Sequence, residues 1–155
     1  MIRYHKMTEI EKEIISAWCY TGDYAVYNMP SYQEQKKQGI GFGNPKCADD
    51  FYAYYDETQL IGFTNILEEP QEVFMGIGVT PDHCGKGYGE KILRIAQQIS
   101  QTQYPHKAIY LEVRTWNQRA IHCYEKAGFI LDGKAFEQKT MLGTSHFIRM
   151  VYPVR

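Results

Sequence analysis

The sequence predicts an α/β (α+β) protein built on a central mixed sheet, and two observations support this class. A β-rich run at Val73–Val79 is followed by a glycine-rich turn, a helical pattern and the apolar run Ala108–Val113, which together make a β-α-β unit. Such units favour parallel pairing of their two strands. A hairpin pattern precedes this unit and further β-rich runs follow it. With 155 residues, 44% of them hydrophobic, we expect one domain over residues 1–155.

The first fifty residues combine short regular elements with an irregular segment. Met1–His5 is predicted to form a short strand, and Thr8 with Glu11 makes a capping box that starts a helix over about residues 8–20. Glycine, asparagine and proline then interrupt the chain repeatedly, leaving room for a short second helix at Ser31–Gln38. We expect this part of the chain to form a rim.

The rest of the chain alternates strands and helices. Two β-rich runs separated by a polar turn predict a hairpin over Phe51–Leu67, and apolar residues recur at helical spacing from Ile92 to Ile99. The predicted C-terminal elements are a strand at Ala108–Val113, a helix at Gln118–Lys126 ending before Gly128, and strands at Phe129–Phe136 and Phe147–Tyr152.

Composition narrows the class of function. The formal net charge is −1, so no broad attraction to nucleic acid or to an anionic membrane is expected. The first ten residues lack the apolar core of a signal peptide and no later apolar run could span a bilayer, so we expect a cytoplasmic protein. The four cysteines are scattered without a CxxC pair, which favours reduced thiols and no metal.

The glycine-rich turn is the first candidate binding site. Glycines at positions 85, 87 and 89 let a ligand approach the backbone, and the helix that follows presents unpaired N–H groups at its positive end. Lys86 adds a mobile positive charge suited to a phosphate. The same glycines could simply form a tight turn. A Walker loop would need Ser or Thr after Gly-Lys, and a dinucleotide fold would place its turn after the first strand, so ATP hydrolysis and a nicotinamide cofactor are disfavoured.

Two motifs in the correct order carry a resemblance to a known family. The run Val79–Gly89, with the sequence VTPDHCGKGYG, resembles the acetyl-CoA loop of the Gcn5-related N-acetyltransferases (GNAT). The later run from Tyr110-Leu111-Glu112-Val113 to Gly128-Phe129 is similar to the family's second motif. The resemblance covers about residues 60–152. The chain departs from the family pattern at Cys84, where Gln or Arg is usual.

The resemblance implies a fold and a set of cofactor-binding residues. The implied GNAT fold is a mixed, mostly antiparallel twisted sheet of six to seven strands, splayed at the acetyl-CoA site and flanked by about four helices. Acetyl-CoA is the implied acetyl donor, and backbone groups before the loop would bond its pantetheine arm as an added strand would. The implied cofactor-binding residues are Ile77, Gly78, Val79, Cys84, Gly85, Lys86, Gly87, Tyr88, Gly89, Asn117, Ala120 and Tyr124.

Two residues are candidates for proton transfer. An amine with a pKa near about 10.4 is protonated at neutral pH, so a base must accept its proton before it attacks the thioester. Glu112 lies in an otherwise apolar strand and corresponds to the base of the ribosomal-protein N-terminal acetyltransferases; alternatively it faces solvent or pairs with Arg114 or Arg149. Tyr124 is the family's candidate acid for the departing thiolate, and its alternative is a core tyrosine. Asn117 suits both a coenzyme contact and a helix cap.

The acceptor is less well defined by the sequence. The irregular N-terminal part contains a cluster of aromatic residues: Trp18, Tyr20, Tyr24, Tyr27 and Tyr32. Of these, Trp18, Tyr24, Tyr27 and Tyr32 are the candidates to line the acceptor pocket, and the alternative for each is simple packing of the rim. The expected acceptor is a primary amine of a small molecule, or of a protein or peptide. We expect a monomer or homodimer that binds neither nucleic acid nor membrane. Two other classes stay open, a non-catalytic acyl-CoA-binding regulatory module and a structural protein that binds no coenzyme.

Overall fold

The secondary structure follows the predicted order closely. The computed structural model describes residues 1–154. Its strands and α-helices are β1 (Ile2–Lys6), α1 (Glu9–Ser16), α2 (Tyr32–Gln38), β2 (Phe51–Asp56), β3 (Gln59–Glu68), β4 (Glu72–Val79), α3 (Tyr88–Gln103), β5 (Ala108–Arg114), α4 (Gln118–Lys126), β6 (Ile130–Leu131), β7 (Phe136–Thr140) and β8 (Gly143–Tyr152). Short 3-10 helices lie at Gly22–Tyr27, Gly41–Gly43, Pro45–Cys47 and Pro81–His83.

The strands form one mixed sheet in the order β1-β2-β3-β4-β5-β8-β6, with β7 also paired to β8. β4 and β5, the two strands of the predicted β-α-β unit, pair in parallel, whereas β1–β2, β2–β3, β5–β8, β6–β8 and β7–β8 pair antiparallel. The mixed sheet and the four α-helices confirm the predicted fold class. The described residues form eight strands rather than six or seven. Of the segment predicted as one strand, Phe129–Phe136, only β6 and the first residue of β7 are strand, and the rest of β7 was not predicted.

The first of two compact units comprises Met1–Asn65 and Ile77–Tyr88. Its helix α1 begins where the capping box predicts: the Thr8 side chain accepts from the Glu11 N–H, and the Glu11 side chain accepts from the Thr8 N–H. The helix ends at Ser16 rather than near residue 20, so the predicted length was wrong at its C-terminus. Buried residues of the helices, of β2 and of the β1–α1 connection form a core cluster in this unit: Met7, Ile15, Tyr32, Phe42, Phe51 and Ala53.

The second unit comprises residues 66–76 and those from Gly89 onward. The periodicity that predicted α3 places Ile92, Leu93 and Ala96 on its buried face. Successive side chains of β5 point to opposite faces of the sheet. Ile109, Leu111 and Val113 are buried on one face, and Tyr110 and Glu112 lie on the other. The buried residues Ala127 and Phe129 close the core after α4.

No helix within residues 1–154 is both long and apolar enough to cross a membrane.

Candidate active site

The glycine loop has the backbone geometry that its sequence predicts. After β4 and the 3-10 turn at Pro81–His83, Gly85 and Gly87 adopt φ values of 79° and 85° before α3 begins at Tyr88. These left-handed conformations are strained for residues with a Cβ atom. A Cβ atom built on either glycine meets nothing within 4 Å, so the space beside the loop is open.

The N–H groups of this loop are available to a ligand. Across residues 1–154, no loop hydrogen bond is donated by the backbone N–H of Gly85, Lys86 or Gly87. The first N–H groups of a helix have no partner inside the helix, and the helix dipole places partial positive charge there. Lys86 is exposed at the same loop. The loop therefore fits a phosphate or pyrophosphate group.

The β2–β3 turn anchors the loop, a support that the sequence analysis missed. The Tyr88 hydroxyl donates to Asp56 Oδ2 at 2.6 Å, and this hydrogen bond raises the pKa of the phenol. His83 Nε2 lies 3.2 Å from Gln59 Oε1, and its ring meets the Tyr88 ring edge-on at 5.5 Å. No sequence pattern links residues 32 positions apart, so this contact could not be predicted.

Cys84 supports the loop from within. Its thiol lies 3.6 Å from the Val79 carbonyl oxygen and 3.5 Å from that of Thr80, within reach of weak S–H donation. The short side chain at this departure from the family pattern therefore points back to the end of β4.

The end of β4 combines half-buried backbone with a close aromatic contact. Gly76, Ile77, Gly78 and Val79 are all half-buried. A Cβ atom on Gly78 would lie 2.3 Å from the Phe63 ring, so only glycine allows this packing. The parallel pairing of β4 with β5 covers Glu72–Phe74, and β4 continues five residues beyond it.

In the second unit, Glu112 lies on β5 directly opposite Arg149 of β8. The Arg149 guanidinium is engaged elsewhere: Nη1 donates to Glu72 Oε1 and Nε donates to Asp132 Oδ2, each at 2.9 Å, and Nη2 donates to the other Glu72 oxygen. Within the described part of the chain, the Glu112 carboxylate has no hydrogen bond or ion pair to a side chain. The alternative of a Glu112–Arg149 ion pair is therefore not observed.

The surroundings of Glu112 oppose its charge. Burial raises the pKa of the carboxyl group, the nearby Arg149 charge lowers it, and Glu69 raises it again, with a net pKa above the ordinary value. Glu69 is held in place by the Tyr110 hydroxyl, which donates to its carboxylate at 2.9 Å. A carboxylate with a raised pKa is a better proton acceptor than an ordinary surface glutamate.

The other residues of the second motif lie on or beside α4. Asn117 is buried, with 6% exposure, and its side-chain Oδ1 accepts from the Ala120 N–H at 3.1 Å, so it caps the helix as predicted. Tyr124 is half-buried on α4, and its ring meets the Phe129 ring edge-on at 6.2 Å. Gly89 lies in the first turn of α3.

The candidate acceptor residues separate into two pairs. Trp18 and Tyr32 line a cleft of about 560 Å³ in the first unit. Other residues lining this cleft include Glu13, Cys19, Asn28 and Met29. Tyr24 and Tyr27 instead lie in the 3-10 helix Gly22–Tyr27, with their rings 6.5 Å apart.

The candidate site combines backbone donors at the loop with carboxylates and phenols. No group of three or more His, Cys, Asp or Glu side chains among residues 1–154 is arranged to hold a metal ion. The predicted donor residues Ile77–Tyr88 lie in the first unit. Gly89, Glu112, Asn117, Ala120 and Tyr124 lie in the second.

Comparisons with known proteins agree on one family. Residues 10–129 match the family model described as Acetyltransferase (GNAT) family. A spermidine N(1)-acetyltransferase from Vibrio cholerae serotype O1 is 28% identical over 62% of this chain and 57% of its own length. An N-alpha-acetyltransferase from Saccharolobus solfataricus is 30% identical over 66% of this chain and 65% of its own length. The chain thus spans less than two thirds of these curated relatives.

A solved structure extends the similarity in fold to nearly the whole chain. The Vibrio cholerae spermidine N-acetyltransferase in complex with CoA and spermine superposes with a TM-score of 0.78, at 21% identity, covering 97% of this chain and 94% of the other.

Proposed function

This chain belongs to the GNAT acetyltransferase family, and from that premise we propose that it is an N-acetyltransferase that moves the acetyl group of acetyl-CoA to a primary amine by direct attack. The observation that carries the proposal is the open glycine loop. Gly85 and Gly87 hold left-handed conformations beside open space, immediately before the N-terminus of α3. That arrangement suits the pyrophosphate of a coenzyme.

The donor would be held mainly by backbone. The residues proposed to bind acetyl-CoA are those that the family resemblance implies, from Ile77 to Gly89 together with Asn117, Ala120 and Tyr124. The half-buried backbone at the end of β4 supports a role in bonding the pantetheine arm. An N–H group near Val79 would polarise the thioester carbonyl and stabilise the oxyanion formed on attack.

Glu112 and Tyr124 are proposed as base and acid. Glu112 would take a proton from the ammonium of the acceptor, leaving a lone pair that attacks the thioester carbon. When the tetrahedral intermediate collapses, the C–S bond breaks, Tyr124 would donate its phenol proton to the departing thiolate, and the second proton lost by the amine nitrogen would restore the phenol. The raised pKa of Glu112 and its lack of an ion pair support the first role.

The acceptor is proposed to be the amine of a polyamine or of a peptide. Relatives named spermidine N(1)-acetyltransferase and peptidyl-lysine N-acetyltransferase support the two classes. The cleft lined by Trp18, Met29 and Tyr32 supports an acceptor with an alkyl body, and the Glu13 carboxylate at this cleft would attract its positive charge.

Calorimetric titration with acetyl-CoA, CoA and ATP, followed by transfer assays with spermidine and with short peptides, tests the proposal. We expect selective binding of the two CoA compounds, a raised thermal midpoint and acetylated amine. Binding of acetyl-CoA without transfer to any amine would favour the non-catalytic coenzyme-binding module. Absence of binding by the folded protein would contradict both.

A further inference from the structure

The Tyr20 side chain joins the segment after α1 to the last residue of β4. Its hydroxyl donates to the carbonyl oxygen of Val79 at 2.6 Å, and the tyrosine is half-buried. Val79 ends β4, and the next residue, Thr80, donates its N–H to the carbonyl oxygen of Ile61 at 2.9 Å. The phenol therefore contacts a carbonyl group whose position the sheet already fixes.

The segment that begins at Tyr20 is closed by Asn28, and we name residues 20–28 the strap. The Tyr20 N–H donates to Asn28 Oδ1 at 2.6 Å, and Asn28 Nδ2 donates to the Tyr20 carbonyl oxygen at 3.2 Å. The amide thus pairs with both backbone groups of Tyr20, as a neighbouring strand would.

The strap buries little of its surface. Six of its nine residues are exposed, and the other three, Tyr20, Tyr24 and Val26, are only half-buried. Segments with few buried apolar side chains open easily. The hydrogen bonds between Tyr20 and Asn28 join the two ends of the strap.

Aromatic packing fixes the residues immediately before the strap to the same strand end. The Trp18 ring lies 6.2 Å from the Phe63 ring, and the Phe63 ring occupies the space beside Gly78 that a Cβ atom would need. Trp18 and Asn28 both line the 560 Å³ cleft. The strap thus follows a residue of this cleft and ends at another, and its Tyr20 hydroxyl reaches Val79.

We propose that Tyr20 is a positioning residue for acetyl transfer: by bonding to the Val79 carbonyl, its hydroxyl holds the strap in the position at which the acceptor amine is aligned. This inference rests on the proposed function, in which the backbone near Val79 contacts the donor. Small displacements of positioning groups reduce transfer rates strongly, by up to about 100-fold for 1 Å. Tyr20 touches neither reacting atom in this role.

The test compares Tyr20→Phe, Asn28→Ala and the double variant with the wild-type protein. Amide hydrogen exchange of residues 20–28, acetyl-CoA affinity, and kcat and KM for the amine are measured for each. We expect faster exchange in the strap, a fall of about 10-fold in kcat/KM for the amine and an acetyl-CoA Kd within about twofold. Because both side chains hold one element, the double variant should be little worse than the worse single variant.

Tyr4→Phe is the matched control, since it removes the hydroxyl of a 47% exposed tyrosine in β1 of the same unit. It should leave exchange in the strap and all kinetic constants unchanged. An unchanged kcat/KM in Tyr20→Phe would overturn the proposal. If acetyl-CoA affinity fell by the same factor as kcat/KM, the proposal would also be overturned, because Tyr20 would then act in donor binding. Lost transfer without faster exchange would also overturn it. A wild-type protein without acetyl-CoA binding or transfer would instead refute the proposed function and this inference with it.

Discussion

Glu112 illustrates how surroundings set the chemistry of one residue. Its cross-strand neighbour Arg149 would neutralise an ordinary surface glutamate, but Glu72 and Asp132 occupy the guanidinium. The carboxyl group is left partly buried with a raised pKa and without an ion pair. A structural role would favour the opposite arrangement, a paired carboxylate with a lowered pKa.

Glu112→Gln should separate activity from stability. A glutamine cannot accept the proton, so we expect kcat to fall by about 100-fold or more. Because the pKa of Glu112 is raised in the folded state, folding favours the protonated carboxyl group. The stability that this protonation contributes is fully present below the unfolded-state pKa and is lost as the pH rises through the folded-state pKa. The charged form therefore destabilises the protein at pH 7, and the variant should have a higher thermal midpoint.

Steady-state kinetics and thermal unfolding at pH 7 and at pH 4 check this expectation, and the gain in midpoint should shrink at pH 4. Glu137→Gln, which removes a carboxylate 69% exposed on β7, is the control and should change neither quantity appreciably. A Glu112→Gln protein with full activity would assign the base elsewhere.

Tyr124→Phe tests the proposed acid while keeping the aromatic ring. The ring contact with Phe129 is kept, so the fold should be retained and the acetyl-CoA Kd should change far less than kcat. Without the phenol proton we expect kcat to fall by about 100-fold. A substrate analogue whose thiol leaves more readily should recover part of this loss, and equal losses with both donors would contradict the role.

Single residues were predicted to different extents. Asn117 was predicted to suit both a coenzyme contact and a helix cap, and its side chain does cap α4. Tyr88 donates a hydrogen bond to Asp56, 32 positions away, and Tyr20 donates one to Val79, 59 positions away. Hydrogen bonds at such separations depend on the fold, and one sequence carries no local signal for them.

At the scale of elements, the glycine loop has space for the methyl group of an alanine, but its backbone conformation is unfavourable for that residue. Gly87 has φ of 85° with open space around its Cβ position, so Gly87→Ala costs backbone strain of about 1–2 kcal/mol rather than a clash. If the loop relaxes to avoid this strain, its N–H groups turn from the ligand. We expect acetyl-CoA affinity to fall by about 10-fold.

Gly133→Ala provides the matched control for Gly87→Ala. Gly133 lies between β6 and β7 with φ of 84° and nothing within 4 Å of its Cβ position, so the strain is the same. Calorimetric titration should show unchanged acetyl-CoA affinity for this variant and a similar loss of thermal stability for both. Equal affinities in the two variants would show that the loop does not bind the donor.

Elements were predicted best where a local signal marks both ends. Helix α4 runs over Gln118–Lys126 as predicted, because Asn117 caps its start and Gly128, with φ of 97°, follows its end. The prediction of a strand over Phe129–Phe136 was wrong, since Gly133 has a left-handed φ between β6 and β7. Strand β7 was missed because its side chains are mostly exposed and polar, so no apolar alternation marks it.

The stability of the whole molecule depends in part on one buried acid of the first unit. Glu11 is 4% exposed, and its carboxylate accepts from the Thr8 N–H at 2.9 Å, from His5 Nε2 at 2.8 Å and from the Tyr55 hydroxyl. It therefore links β1, the start of α1 and β2. Protonation would neutralise the carboxylate charge that these hydrogen bonds stabilise.

Acid should therefore unfold the protein partly through Glu11. Burial alone would raise the pKa of this carboxyl group, but the hydrogen bonds from Tyr55, Thr8 and His5 outweigh burial and lower it. A lowered folded-state pKa gives stability that is present above the unfolded-state pKa, near about 4.3, and is lost as the pH falls through the folded-state value.

Glu11→Gln should consequently be less stable than wild type at pH 7, and the difference should narrow as the pH falls from about 5 to 3. Urea unfolding midpoints measured across this range check the expectation. Glu13→Gln, which alters an exposed carboxylate of the same helix, should give a curve parallel to that of the wild-type protein. If instead the stability difference between Glu11→Gln and the wild-type protein stays constant with pH, the variant loses stability through packing and capping contacts that do not depend on charge. The three elements that meet at Glu11 would then be held together without the charge of its carboxylate.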